Sequence, residues 1–267
     1  MCTFDVESTG VSAVNDRIVT ASIVWVEPGK QSTVETWLIN PGVEIPAEAQ
    51  AVHGVTTERA VAEGVEPPGA LDQICESLAW AVINGTPIIV MNAAYDLTML
   101  DREARRHQVQ PLAERVDSIA PVVDPSVLDK HVDPFRKGTR RLSDPQEGGL
   151  VEWYGVKMDG AHDSTFDALA AARVAWRIAA MTQWPHGRLV QFYHDSPRHT
   201  KGYLFKPEEI ADRFKDLALS TPEQLHAAQV KWKAEQAVGL RAYFEKQGKA
   251  VSDIHEAWPM LPLKEEN

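Results

Sequence analysis

The chain has 267 residues, enough for one large domain or one domain with an appendage, and 44% hydrophobic residues, as in most globular proteins. Its formal net charge of −11 excludes a protein that grips nucleic acid by a basic surface alone. Any polyanionic substrate would need metal ions and local basic patches. The two cysteines form no disulfide framework, and no run of about 18 apolar residues is present. We therefore expect a soluble, cytoplasmic protein without a membrane partner.

Two carboxylates lie near the start of the chain, in the sequence TFDVESTG (residues 3–10). Side chains alternate along a strand, so Asp5 and Glu7 would project to one side while Phe4 and Val6 pack on the other. Two neighbouring carboxylates repel each other when both are ionised. The arrangement is stable only if one of them is protonated or a cation lies between them. The pair is either the solvent face of an edge strand or a site for Mg²⁺ or Mn²⁺, which prefer oxygen ligands.

The following segments predict an α/β protein. Residues 18–26 and 33–39 are rich in β-branched and aromatic side chains and predict a meander with the first strand. Residues 50–56 are too short and mixed to predict an element. Residues 70–85 have helical spacing, and residues 88–91 form a short apolar run typical of a buried parallel strand.

Asp96 follows this apolar run and begins another predicted helix. It is either a helix N-cap or a ligand at the carboxyl end of a strand, where α/β proteins bind their ligands. A further short strand is predicted at residues 122–124. Four cations come next, either in a solvated loop or as a phosphate-steering patch: Arg136, Lys137, Arg140 and Arg141. A short helix is predicted at residues 150–154.

The alanine-rich residues 161–174 predict a helix capped by Asp163 or Ser164. His162 would lie on the approach to this helix and Asp167 in its first turns, so both could face one cavity. An acidic residue there could also only complement the helix dipole.

The character of the chain changes after residue 184. We predict a domain at residues 1–184 and a mostly helical C-terminal extension at residues 185–267. Within the extension, a strand is possible at residues 189–193. Helices are predicted at residues 207–219 and 222–246, the latter with Thr221 as its cap.

Four short motifs occur along the chain: FDVESTG, HGVT (residues 53–56), NAAYDL (92–97) and AHDSTFDALAA (161–171). In this order they resemble the motifs of the DEDDh branch of the DnaQ-like 3'-5' exonucleases, over residues 1 to 183. The resemblance implies an α/β, RNase H-like fold with a mixed five-stranded sheet flanked by helices. Our assignment of strands and helices agrees with that class.

The resemblance also implies a metal-dependent 3'-5' exonuclease that hydrolyses mainly single-stranded DNA to nucleoside monophosphates. Asp5, Glu7, Asp96 and Asp167 would hold two divalent ions, Mg²⁺ or Mn²⁺. His162 would be the general base that takes a proton from the attacking water.

By the same resemblance, six residues would contact the terminal nucleotide: Ser8, Thr9, Gly10, His53, Gly54 and Asn92. Two alternatives remain open. The substrate could be the 3' end of RNA, as for RNase T or oligoribonuclease. The chain could also be a proofreading-type subunit that acts mainly through a DNA polymerase partner. The C-terminal extension could dock such a partner, cover the active site or form a homodimer.

Overall fold

A mixed five-stranded sheet is the centre of the protein. The computed structural model describes residues 1–144, 146–158, 163–196 and 205–263. The strands are β1 (Cys2–Ser8), β2 (Ile18–Trp25), β3 (Thr33–Leu38), β4 (Ile88–Ile89) and β5 (Val122–Val123). Their order is β3-β2-β1-β4-β5. The first three pair antiparallel, whereas β4 is parallel to β1 and β5 to β4. The predicted sheet, including its meander, is confirmed.

β1 is the central strand, and its two faces differ as its alternating sequence predicts. Phe4 is fully buried and Val6 nearly so, whereas Asp5 and Glu7 are half-buried. The pairing of β1 with β2 shifts register between Glu7 and Ser8. Such irregularities often occur next to active sites, where they redirect a side chain. The strand therefore presents two carboxylates at its carboxyl end.

The sheet is flanked by helices, as predicted. The helices are α1 (Ala47–His53), α2 (Thr57–Glu63), α3 (Pro67–Ile83), α4 (Ala93–Arg106), α5 (Pro125–Val132), α6 (Leu150–Tyr154), α7 (Ser164–Met181), α8 (His186–Asp195), α9 (Pro207–Arg213) and α10 (Pro222–Lys246). None of those in the described part of the chain combines the length and apolar character that crossing a membrane requires.

Two local predictions were wrong. Residues 50–53 belong to the short helix α1, rather than to no element, and Thr56 caps α2. Residues 189–193 belong to α8 and not to a strand, because Leu189 and Tyr193 are both buried. A spacing of four places both side chains on one face of a helix.

Polar contacts attach α7 to the sheet. Ser22 of β2 pairs in register with Asp5, and its hydroxyl lies 2.7 Å from Ser164 Oγ and 3.0 Å from Thr165 Oγ1. These contacts hold the first turn of α7 beside the face of β1 that carries the carboxylates. Asp167, three residues after Ser164, is thereby brought to the same face.

Helix α10 packs against the edge of the sheet. His226 Nδ1 accepts a hydrogen bond from the backbone amide of Val122 at 3.1 Å. The fully buried Gln229 of α10 accepts from the amide of Asp124 at 2.8 Å and donates to the carbonyl of Val122 at 3.1 Å. An exposed edge strand is open to pairing with other chains. One face of α10 closes this edge.

Two of the four loop cations are paired with a buried acid, whereas Lys137 and Arg141 are exposed. The Arg136 side chain is fully buried, with Nε 3.0 Å from Asp129 Oδ1. Arg140 lies 3.1 Å from Asp129 Oδ2, and the Tyr154 hydroxyl donates to Asp129 Oδ1 at 3.0 Å. At least two of the four cations therefore hold the loop against α5 and α6 and do not face solvent as a phosphate-steering patch.

Candidate active site

Three carboxylates converge beside the carboxyl end of β1. Asp5 and Glu7 come from β1 and Asp167 from α7. Each offers an oxygen that lies within 4.8 Å of the other two. All three side chains are half-buried. The cluster is therefore partly shielded from water yet accessible from one side.

Asp96 is a fourth carboxylate next to this cluster. It is 4% exposed, and its Oδ1 accepts a hydrogen bond from the amide of Val6 at 3.1 Å. The cap of α4 is Asn92, so Asp96 is not the N-cap that one interpretation predicted. Asp96 and Asp167 occupy the same place, the fourth helical position, in α4 and α7. The positive ends of two helix dipoles thus lie close to the acids and stabilise their negative charge.

The proximity of these groups shifts their pKa values. Burial is the main cause that raises the pKa of Asp5 well above its usual range, and Asp96, Asp167 and Glu7 raise it further. Burial, followed by Asp167 and Asp163, raises the pKa of Glu7 to about 7. Burial likewise raises the pKa of Asp96, against the hydrogen bond from Val6. The fold therefore disfavours several negative charges here unless a positive charge compensates them.

These residues fit a divalent cation. The donors are carboxylate oxygens, which Mg²⁺ and Mn²⁺ prefer over nitrogen or sulfur ligands. A cation among the three oxygens would offset both the repulsion and the burial that raise their pKa values. The predicted metal ligands Asp5, Glu7 and Asp167 are thus brought together, and Asp96 lies close enough to raise the pKa of Asp5.

Asp124, which the sequence analysis did not single out, orients the start of α4. Its fully buried carboxylate accepts hydrogen bonds from the amides of Asn92 (3.1 Å), Ala93 (3.0 Å) and Ser126 (2.9 Å). Asn92 itself has left-handed backbone angles, with φ of 58°. Because Asp124 fixes this turn, it fixes the direction in which Asp96 points. Its position after a parallel strand was the signal that could have identified it.

Tyr95 fixes the turn that follows Glu7. Its hydroxyl lies 2.6 Å from Ser8 Oγ and donates to the carbonyl of Gly10 at 2.5 Å. Thr9 Oγ1 donates to Asp16 Oδ1 at 3.1 Å. A Cβ on Gly10 would come within 2.6 Å of the same carboxylate. Ser8 and Thr9 are buried in this turn, where their hydroxyls make structural hydrogen bonds.

The other residues predicted to bind substrate lie around the cluster. His53 ends α1, and its Nδ1 accepts a hydrogen bond from the amide of Val55 at 3.2 Å. Burial lowers the pKa of His53, and the nearby backbone of Ser8 opposes this shift. Gly54 caps α1 with φ of 74°. The side chain of Asn92 is exposed. His162, the predicted general base, lies outside the described residues.

The fold is similar to that of exonuclease I. The structure of exonuclease I matches with a TM-score of 0.52 and 16% sequence identity, over 67% of this chain and 40% of that one. Escherichia coli exonuclease I in complex with a dT13 oligonucleotide matches with the same TM-score and identity, over 72% of this chain and 43% of that one. At this level of identity the similarity establishes the fold of the matched part of the chain, which is that of the matched part of exonuclease I.

Curated relatives by sequence are polymerases. DNA polymerase III PolC-type of Streptococcus thermophilus is 25% identical over 171 residues, which is 64% of this chain and 10% of that protein. The PolC-type polymerase of Listeria monocytogenes is 27% identical over 197 residues, which is 73% of this chain and 12% of that protein. The chain thus spans about a tenth of the length of these relatives. No protein-family model matches it.

Proposed function

We propose that this chain is a divalent-metal-dependent 3'-5' exonuclease that hydrolyses single-stranded DNA to nucleoside monophosphates. The observation that carries the proposal is the convergence of Asp5, Glu7 and Asp167 within 4.8 Å, with Asp96 adjacent. The fold of exonuclease I, a protein solved with bound DNA oligonucleotides, supports the reaction and the substrate. The similarity to PolC-type DNA polymerases supports a role in DNA metabolism.

In this proposal the carboxylates hold two cations. Asp5, Glu7 and Asp167 would hold one, and Asp5 together with Asp96 the other. Two bound divalent ions supply charge neutralisation for the phosphate oxygens and for the attacking and leaving oxygens of an in-line displacement. The protein contributes fixed positions: Asp5 and Glu7 are set by the pairing of β1, and Asp96 by its hydrogen bond from Val6.

We assign His162 as the general base, which takes a proton from the attacking water. This role requires a neutral imidazole, so activity should fall as the pH drops below the titration range of the histidine. Its removal should lower the rate by about 10²- to 10⁴-fold. The support for this role is the sequence: His162 lies five residues before Asp167, a ligand in the described cluster.

The turn after Glu7 would shape the pocket for the terminal nucleotide. Since the hydroxyls of Ser8 and Thr9 are engaged within the turn, we assign them to positioning. The exposed side chain of Asn92 is better placed for direct contact. Gly10 allows the turn to approach Asp16 closely. Such contacts read no base edge, so cleavage should depend little on sequence.

We place this activity in the cytoplasm. The two cysteines support a reducing compartment, because both are free and buried. Association with a DNA polymerase is a further proposal that the PolC-type relatives support. Such a partner would have to bind elsewhere than the face of α10 that closes the sheet edge, since Gln229 and His226 occupy it.

The proposal is tested with a single-stranded DNA oligonucleotide labelled at its 5' end. With Mg²⁺ or Mn²⁺ the wild-type protein should shorten it stepwise from the 3' end, and EDTA should stop the reaction. Asp5→Asn should be inactive. A matched RNA oligonucleotide decides between DNA and RNA, and circular single-stranded DNA, which has no end, should persist. Metal-independent cleavage, or cleavage of the circle, contradicts the proposal.

A further inference from the structure

A groove of about 900 Å³ adjoins the candidate active site. Its lining includes Asn92, the cap of α4, and Tyr95, the third residue of α4, which directly precedes Asp96. The β1–β2 loop (residues 11–15) and the C-terminal segment (residues 253–263) also contribute to its lining. Pockets for small molecules measure roughly 300–1,000 Å³. The groove is therefore large enough to hold part of a substrate beyond the group that reacts at the active site.

The C-terminal side of the groove is attached to α4. Arg102 donates from Nη2 to the carbonyls of Leu261 (3.0 Å) and Pro262 (2.8 Å). The amide of Leu261 donates to Thr98 Oγ1 at 2.8 Å. Three residues before Leu261, Trp258 Nε1 lies 3.4 Å from Asp124 Oδ2. The same helix that carries Asp96 thus holds this wall in place.

The groove has the surface of a binding site for a strand. Half of its lining residues are aliphatic, and these include Val11, which is 95% exposed, and Leu263, which is 50% exposed. Exposed apolar side chains gathered at a groove are typical of binding surfaces. Asp253 is the only carboxylate among the described lining residues, and Arg102 and Lys233 are both cationic.

Lys233 is the cation available to a ligand. Unlike Arg102, which is bound to Asp101 and to the C-terminal segment, Lys233 makes no ion pair with the residues that the structure describes. The chain as a whole has a net charge of −11, which repels an anionic strand. The described lining of the groove contains a single carboxylate, so this repulsion is weaker there.

We propose that this groove binds the single strand on the 5' side of the scissile bond. Its bases would lie against the aliphatic lining and one of its phosphates near Lys233. The inference rests on the proposed function, because a strand whose 3' end occupies the active site can leave it only in the 5' direction. An aliphatic surface and a point charge read no base edges, so this binding is independent of sequence.

Two variants test the groove, each with a matched control. Lys233→Ala removes the cation, and Lys231→Ala removes a lysine of the same helix that is not part of the lining. Val11→Glu adds a negative charge at a fully exposed position, and Val61→Glu does so at an exposed position on α2. The substrates are a single-stranded DNA 12-mer, long enough to enter the groove, and a dinucleotide, confined to the active site.

Both groove variants should raise KM for the 12-mer about fivefold, the effect of one exposed charge contact. The kcat for the 12-mer and kcat/KM for the dinucleotide should match wild type, as should both controls. Binding of a fluorescent 12-mer in EDTA gives a second readout. The slope of log affinity against log salt should decrease by about 0.7 in Lys233→Ala, the value for one phosphate of a single strand.

Unchanged 12-mer binding by both groove variants overturns the inference, and it is also the result expected if the groove serves a protein partner. Equal losses on the 12-mer and the dinucleotide overturn it as well, because they locate the effect in the active site. A wild-type protein that binds the 12-mer through Lys233 but cleaves neither substrate refutes the proposed function instead and supports the groove as a binding site.

Discussion

Replacing Glu7 by glutamine should stabilise the metal-free protein at alkaline pH while it abolishes activity. The pKa of Glu7 rises from 4.5 to about 7 because the side chain is buried and faces Asp167 and Asp163. A folded-state pKa above the unfolded value means that the stability present below pH 4.5 is lost as the pH rises through about 7. Glutamine has the same size but cannot ionise, so it avoids this loss.

The magnitude follows from the two pKa values. A rise from 4.5 to about 7 corresponds to about 3 kcal/mol at a pH above both values. In EDTA at pH 8 the free energy of unfolding of Glu7→Gln should exceed that of wild type by up to this amount. At pH 4.5 the two proteins should differ little. Added Mg²⁺ should reverse the order, because it stabilises only a protein that retains its ligands.

The assay is urea unfolding of both proteins at pH 4.5 and pH 8, with EDTA and with Mg²⁺. Glu76→Gln, at an exposed position on α3, is the control and should leave stability unchanged at each pH. If Glu7→Gln in EDTA at pH 8 is no more stable than wild type, ionisation of Glu7 does not destabilise the metal-free protein. If Mg²⁺ stabilises both proteins to the same extent, Glu7 is not a metal ligand.

Three further substitutions separate positioning from chemistry. Asp96→Asn keeps an oxygen for the amide of Val6, so melting should change little while the exonuclease rate falls by at least about 10- to 100-fold. Tyr95→Phe removes the hydroxyl that holds the turn after β1 and should lower the free energy of unfolding, measured in urea, by about 1–3 kcal/mol. The control Tyr243→Phe, at an exposed position, should leave this free energy unchanged. Gln229→Leu leaves one backbone amide and one carbonyl at the sheet edge without a partner and should cost about 2–6 kcal/mol, and a melting temperature equal to wild type would contradict the role of α10.

The sequence was sufficient for the sheet and for most of the carboxylate cluster. The alternation in β1 placed Asp5 and Glu7 on one face, and the α7 helix signal placed Asp167 near its start. These are local patterns with a strong period, so they survive in the folded protein. The short helix at residues 150–154 and the long helix at residues 222–246 were predicted with their observed bounds.

What the sequence could not reveal depends on contacts between distant residues. The hydrogen bonds from Gln229 to β5 join positions more than 100 residues apart. Arg136 was interpreted as part of a cationic loop, although it forms a buried ion pair with Asp129. Asp129 lies before the four cations, in α5, so the sequence did not show that the two residues are paired. Residues 189–193 were mistaken for a strand since five residues are too few to distinguish a period of 2 from one of 3.6.

A cation site formed by Asp5, Glu7 and Asp167 should bind Mn²⁺ in the isolated protein. Electron paramagnetic resonance would count bound Mn²⁺ in wild type, in Asp167→Asn and in the control Glu76→Gln, which changes an exposed carboxylate on α3. Wild type and the control should bind Mn²⁺, and Asp167→Asn should lose at least one ion. Equal binding by all three proteins, or no binding by wild type, would contradict a cation site at these carboxylates.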